Sequence, residues 1–125
     1  MAKIRSVDTK PEMMVRRLVY GMGYRYRLHD RRLPGSPDMV FIGRRKVIFI
    51  HGCFWHRHSC KRGQSTPSTR KAFWEKKFTL NVERDCKNHA ILKQNGWDVL
   101  ILWECEIKIS NMILLENWIR HFLDK

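Results

Sequence analysis

The sequence is short of acidic residues: Asp and Glu total 12 against 25 Lys and Arg, which leaves a formal charge of +13. A surface with so little to neutralise it accumulates polyanions, so nucleic acid is the first partner to consider. Long apolar runs are also missing, and none approaches the ~20 residues needed to span a bilayer. The N-terminal "MAKIRSVDTKPE" lacks the apolar centre of a signal peptide. A cytoplasmic protein with no membrane partner is expected. No repeat, linker or change of composition divides the chain, so residues 1–125 read as one domain. That length buries roughly two thirds of the unfolded surface without extra staples. In a reducing compartment, Cys and His residues close together suggest metal more than disulfides.

"DTKPEMMVRRLVYGMG" reads as an opening helix. Thr9 and Glu12 have capping-box spacing, Met14, Leu18 and Met22 share a face, and Gly21 and Gly23 supply an end. "YRYRL" alternates like a half-exposed strand. "LPGSPD" is a turn-rich loop delivering Asp38 to the strand "MVFI", and "GRR" links that strand to "KVIFI" as a hairpin of central strands. After the loop "KRGQSTPSTR", a long helix ends at Asn95 and Gly96, with Phe78, Val82, Asp85, His89 and Leu92 on one face. "WDVLILW" reads as a further buried strand, and "SNMILLENWIRHFLDK" as a closing amphipathic helix. The order helix, three strands, helix, strand, helix predicts a mixed α/β layer with helices covering a sheet.

The stretch "HGCFWHRHSC", His51 to Cys60, concentrates the chemistry. Cys53, His58 and Cys60 can surround one ion, and zinc favours thiolate and imidazole ligands in a closed tetrahedron. Cys105 is the candidate fourth ligand if "WDVLILW" and "KVIFI" are neighbours, while Cys86 reads as a spare packed thiol. C-x4-H-x-C is not a standard zinc-finger spacing, and His51 and His56 could compete as ligands; ordinary buried cysteines and surface histidines are the bland alternative.

Asp38 at a strand entrance and a main-chain carbonyl near Ile50 offer hard oxygen ligands suited to Mg2+. Such a site could serve phosphodiester hydrolysis, with His56 as the base that takes a proton from water. Asp85 could orient His56, and Glu12 could hold a metal-bound water. Each has a plainer competitor: "PD" as a turn, Asp85 paired with a Lys or Arg, Glu12 as a helix cap. Phe54, Trp55 and Trp74 could stack on bases or wedge between them, or simply pack a core.

Together, "LPGSPDMVF", "VIFIHGCFWHRHSC", "FWEKKFTLNVERD" and "GWDVLILWECE" closely resemble the very short patch repair (Vsr) endonucleases, over about Ile4 to Glu106. The resemblance implies a restriction-endonuclease-like fold with a structural zinc site. It also implies a Mg2+-dependent nick 5′ to the T of a T:G mismatch left by deaminated 5-methylcytosine. By motif, Asp38 becomes the Mg2+ ligand together with the Ile50 carbonyl, His56 the general base and Asp85 its partner. His51 would assist at the scissile phosphate, and Glu12 would support the metal waters. Cys53, His58, Cys60 and Cys105 would hold zinc, and Phe54, Trp55 and Trp74 would form an aromatic wedge beside the mismatch.

Further implications are monomeric action on double-stranded DNA at the bacterial nucleoid, and functional links to a cytosine-5 DNA methyltransferase and to MutL. Ile50 stands where the family pattern has Thr, so the carbonyl remains and the hydroxyl does not. The chain starts close to its first helix, which implies a shortened minor-groove arm and less strict reading of sequence context. "IFIH" holds neither the acid nor the lysine of the E-x-K pair used by other enzymes of this fold. The rival readings are a zinc-stabilised DNA-binding module without catalysis and a same-fold endonuclease for another mismatch or lesion.

Overall fold

The computed structural model describes residues 9–53, 60, 62–64 and 66–125. Its elements follow the predicted order: α1 (Lys10–Gly21), β1 (Arg27–Leu28), β2 (Met39–Phe41), β3 (Lys46–His51), α2 (Lys71–Gln94), β4 (Asp98–Trp103) and α3 (Met112–Leu123). Among the described residues, the strands form one mixed sheet in the order β1-β2-β3-β4, with β1 and β2 antiparallel to their successors and β3 parallel to β4. A parallel pair needs a crossover, and α2 lies within it.

Period-2 alternation assigns the two faces of the sheet. Met39, Phe41, Ile48 and Leu102 face one way and pack with Val15 and Val19 of α1 and Leu115, Ile119 and Leu123 of α3. Val40, Val47 and Phe49 face the other way and meet Leu92 of α2, with Val99 and Ile101 alongside. Helices therefore cover both faces, and each of the cited core side chains on β2 and β3 is almost inaccessible to solvent.

Both bonds of the α1 capping box form: the Glu12 amide donates to Thr9 Oγ1 at 3.4 Å and the Thr9 amide donates to Glu12 Oε2 at 3.3 Å. At the other end of the chain, the buried Lys46 donates from Nζ to the Phe122 carbonyl at 2.5 Å, and Arg44 donates to the Leu123 carbonyl at 2.9 Å. Cations thus meet carbonyls that a helix C-terminus leaves without intrahelical partners, and α3 is pinned to the start of β3.

Three expectations need correction. The strand predicted as "MVFI" stops at Phe41, because the turn begins at Ile42, which is exposed. β4 is only partly buried along most of its length, since it is an edge of the described sheet despite its apolar sequence. Cys86 is exposed, not packed, because it lies one residue past the inward-facing Asp85. No described helix is long and apolar enough to cross a membrane.

Candidate active site and metal centre

The candidate site lies at the carboxyl ends of the parallel strands β3 and β4, where open α/β sheets commonly place ligands. Asp38 immediately precedes β2, and the antiparallel register Met39↔Ile48 brings it alongside the end of β3. The Ile50 amide donates to Asp38 Oδ2 at 2.6 Å. In an extended strand the amide and carbonyl of one residue face the same neighbour, so the Ile50 carbonyl faces the Asp38 side as well.

Glu12 reaches the same place from α1 and is 2% exposed. Its Oε1 accepts from Arg16 Nη2, one helical turn later, at 2.9 Å. Glu12 therefore caps its helix through Oε2, as the plainer reading has it, and meets Arg16 through Oε1.

Burial pushes the Asp38 carboxyl up to about 7. The Ile50 amide opposes that shift, the negative charge of Glu12 and a hydrogen bond with it reinforce it, and Arg16 opposes it again. Glu12 is buried and Asp38 partly buried, and two acids this close ionise together only with a compensating positive charge. Such oxygen donors fit a hard divalent ion, which is the observation that connects this pair to metal chemistry.

Sequence reasoning missed His29. The β1–β2 ladder continues beyond Leu28↔Met39, and the His29 amide donates to the Asp38 carbonyl at 3.3 Å. Its Nε2 lies 2.7 Å from Glu12 Oε1 and its Nδ1 3.9 Å from Asp38 Oδ1. Glu12, His29 and Asp38 can each offer one ligand atom within 4.8 Å of the others. The nearest signal in the sequence was an imidazole just after "YRYRL", and only strand pairing reveals its destination.

His51 ends β3 on the α2 side of the sheet and is buried. Its ring stacks on His89 of α2 with centroids 5.5 Å apart and an 18° interplanar angle, and meets Trp103 edge-on. Asp85 lies one turn before His89 and is partly buried. His56, its predicted partner, lies outside the described residues, as do His58, Phe54 and Trp55. Trp74, in the first turn of α2, is partly buried and stacks on Phe78 at 5.9 Å.

The second cluster follows directly from the parallel register His51↔Trp103. Two residues beyond each member of that pair come Cys53 and Cys105, and the Cys105 amide donates to Cys53 Sγ at 3.3 Å. Cys60 joins them, and one sulfur from each lies within 4.8 Å of the others. Burial pushes the Cys53 thiol up to about 12; the Cys105 amide opposes that shift, while the Cys105 and Cys60 thiols add to it, and burial also raises Cys105. A thiolate-binding cation would reverse both shifts, and three converging sulfurs suit zinc.

A family model described as "DNA mismatch endonuclease Vsr" matches residues 1–62. The chain is 46% identical over 124 residues to the type II nicking enzyme V.XorIIP of Xanthomonas oryzae pv. oryzae, covering 99% of this chain and 89% of the relative. It is 47% identical over 108 residues to the type II nicking enzyme V.NmeAIP of Neisseria meningitidis serogroup A, covering 86% and 76%. With the DNA mismatch endonuclease Vsr of Escherichia coli K12 the identity is 43% over 126 residues, covering 95% and 80%.

The raised Asp38 carboxyl makes a signed prediction about stability. The fold favours its protonated form, so that contribution is fully present below the unfolded value of 3.8 and is lost as pH rises through about 7. Without divalent ions, Asp38→Asn should therefore become more stable relative to the wild type, the gap widening by about 2–3 kcal/mol between about pH 5 and about pH 8. Urea unfolding of both proteins at the two pH values checks this, and a gap independent of pH would refute the buried-acid assignment.

Proposed function

The chain belongs to the Vsr family of DNA mismatch endonucleases and is a nicking endonuclease acting on DNA; from that premise we propose Mg2+-dependent, strand-specific nicking 5′ to the T of T:G mismatches. These mismatches arise from deaminated 5-methylcytosine, and the nick starts very short patch repair. The observation that carries the reading is the acid pair of buried Glu12 and partly buried Asp38 at the end of β3, in a chain of charge +13.

In this reading Asp38 and the Ile50 carbonyl hold Mg2+, and Glu12 orients its water ligands. Bound there, Mg2+ supplies charge neutralisation at the scissile phosphate. His56 takes the proton from the attacking water as the new P–O bond forms and a backbone P–O bond breaks. Asp85 accepts from the second ring nitrogen of His56 and fixes its orientation. His51, held by the stack on His89, assists at the phosphate.

Phe54, Trp55 and Trp74 enter the duplex beside the mismatch, where unstacking costs less. Cys53, His58, Cys60 and Cys105 hold a structural zinc that ties the segment after β3 to the end of β4. The restriction-endonuclease-like domain of residues 1–125 acts as a monomer on nucleoid DNA. Functional links to a cytosine-5 DNA methyltransferase and MutL follow from this repair role.

End-labelled duplexes carrying T:G, matched T:A or another mismatch test the substrate. A Mg2+-dependent nick confined to the T strand of T:G is expected; equal nicking of matched DNA would overturn the mismatch reading. Zinc is tested separately by metal analysis and unfolding of Cys105→Ser. Loss of zinc is expected, together with a large part of the ~10 kcal/mol that structural zinc can contribute, whereas full occupancy would remove Cys105 from the ligand set.

A further inference from the structure

We propose that His29 is a further ligand of the divalent-cation site, binding through Nδ1 beside Asp38 while Glu12 receives the proton on Nε2. This rests on the reading that Asp38 holds the ion. The resulting nitrogen and oxygen donor set takes first-row ions such as Mn2+ more tightly than an oxygen-only site would.

The position of His29 is dictated by the backbone. Its amide bonds the Asp38 carbonyl at 3.3 Å, one step beyond the pair Leu28↔Met39. His29 directly follows β1 with φ +48°, and its imidazole spans the two carboxylates. Nε2 lies 2.7 Å from Glu12 Oε1, and Nδ1 lies 3.9 Å from Asp38 Oδ1.

The partners around the ring are compatible with ligation. Nε2 has both an acceptor and a donor close by, since Arg16 Nη2 also lies 2.9 Å from it. Either tautomer therefore finds a partner at Nε2. With the proton on Nε2 and Glu12 as its acceptor, Nδ1 presents a lone pair on the Asp38 side, away from the Arg16 contact. A histidine ligand whose other nitrogen donates to a carboxylate is a recurrent way of orienting imidazole on a metal.

The donor set also has a consequence for ion preference. Mg2+ favours oxygen and dehydrates reluctantly, whereas imidazole suits the later first-row divalent ions best, and Mn2+, though oxygen-preferring, accepts it more readily than Mg2+ does. Mn2+ is the most useful probe because, as a hard ion, it competes poorly for the three thiols.

The test uses the full chain with its cysteine site loaded with zinc, comparing the wild type, His29→Asn and Asp38→Asn. Asn is chosen at position 29 because it tolerates positive φ yet is too short to replace the ring nitrogen. Mn2+ affinity is read by EPR, Mg2+ affinity by calorimetry, and directly bound nitrogen by 14N modulation in pulsed EPR. His29→Asn should weaken Mn2+ about tenfold, abolish the 14N modulation and change Mg2+ affinity by less than about threefold.

Absence of 14N modulation in the wild type overturns the proposal without any variant. Modulation and Mn2+ affinity that survive in a folded His29→Asn protein overturn it as well. Failure of the underlying site is distinguishable, because Asp38→Asn would then bind Mn2+ as tightly as the wild type.

Discussion

The hydrogen bond from the Ile50 amide to the partly buried Asp38 carboxylate joins the parts of the structure on which the chemistry depends. At 2.6 Å it fixes the acid against the end of β3, and the β2–β3 register brings the two residues together. The bond favours the ionised acid, while burial and Glu12 favour the protonated one, and the latter pair prevails to give a carboxyl near 7. The fold thus maintains an acid pair that ordinary stability would avoid, and a divalent cation there would relieve it.

That tension explains the division of labour around the sheet. Apolar packing on both faces supplies the stability, so the carboxyl ends of β3 and β4 can carry costly polar groups. The parallel register His51↔Trp103 sets Cys53 and Cys105 at equal distances beyond the strands, and their sulfurs converge with that of Cys60. The acid cluster and the thiol cluster are therefore two products of one strand: Ile50 serves the first, and Cys53, three residues later, serves the second.

Much of this was legible in the sequence because it depends on local rules. The Thr9–Glu12 capping box, the turn residues of "LPGSPD", the helical face from Phe78 to Leu92 and the element order all follow from short-range patterns. Placing Cys105 near Cys53 required only the guess that β3 and β4 are neighbours. His29 was illegible because its destination depends on pairing by a two-residue strand, Arg27–Leu28, whose side chains are exposed and carry no apolar signal. The accessibility of β4 and Cys86 was misread for a related reason: composition registers hydrophobicity, but position at a sheet edge or on the outer side of a helix decides burial.

The most direct test of the acid pair as the cation site is proton release on Mg2+ binding, measured by calorimetry in buffers of different ionisation enthalpy. A carboxyl near 7 must lose its proton when the ion binds, so release of about one proton is predicted at about pH 6 and little at about pH 8.5. Binding with no proton release at the lower pH, or with equal release at both, would contradict the account.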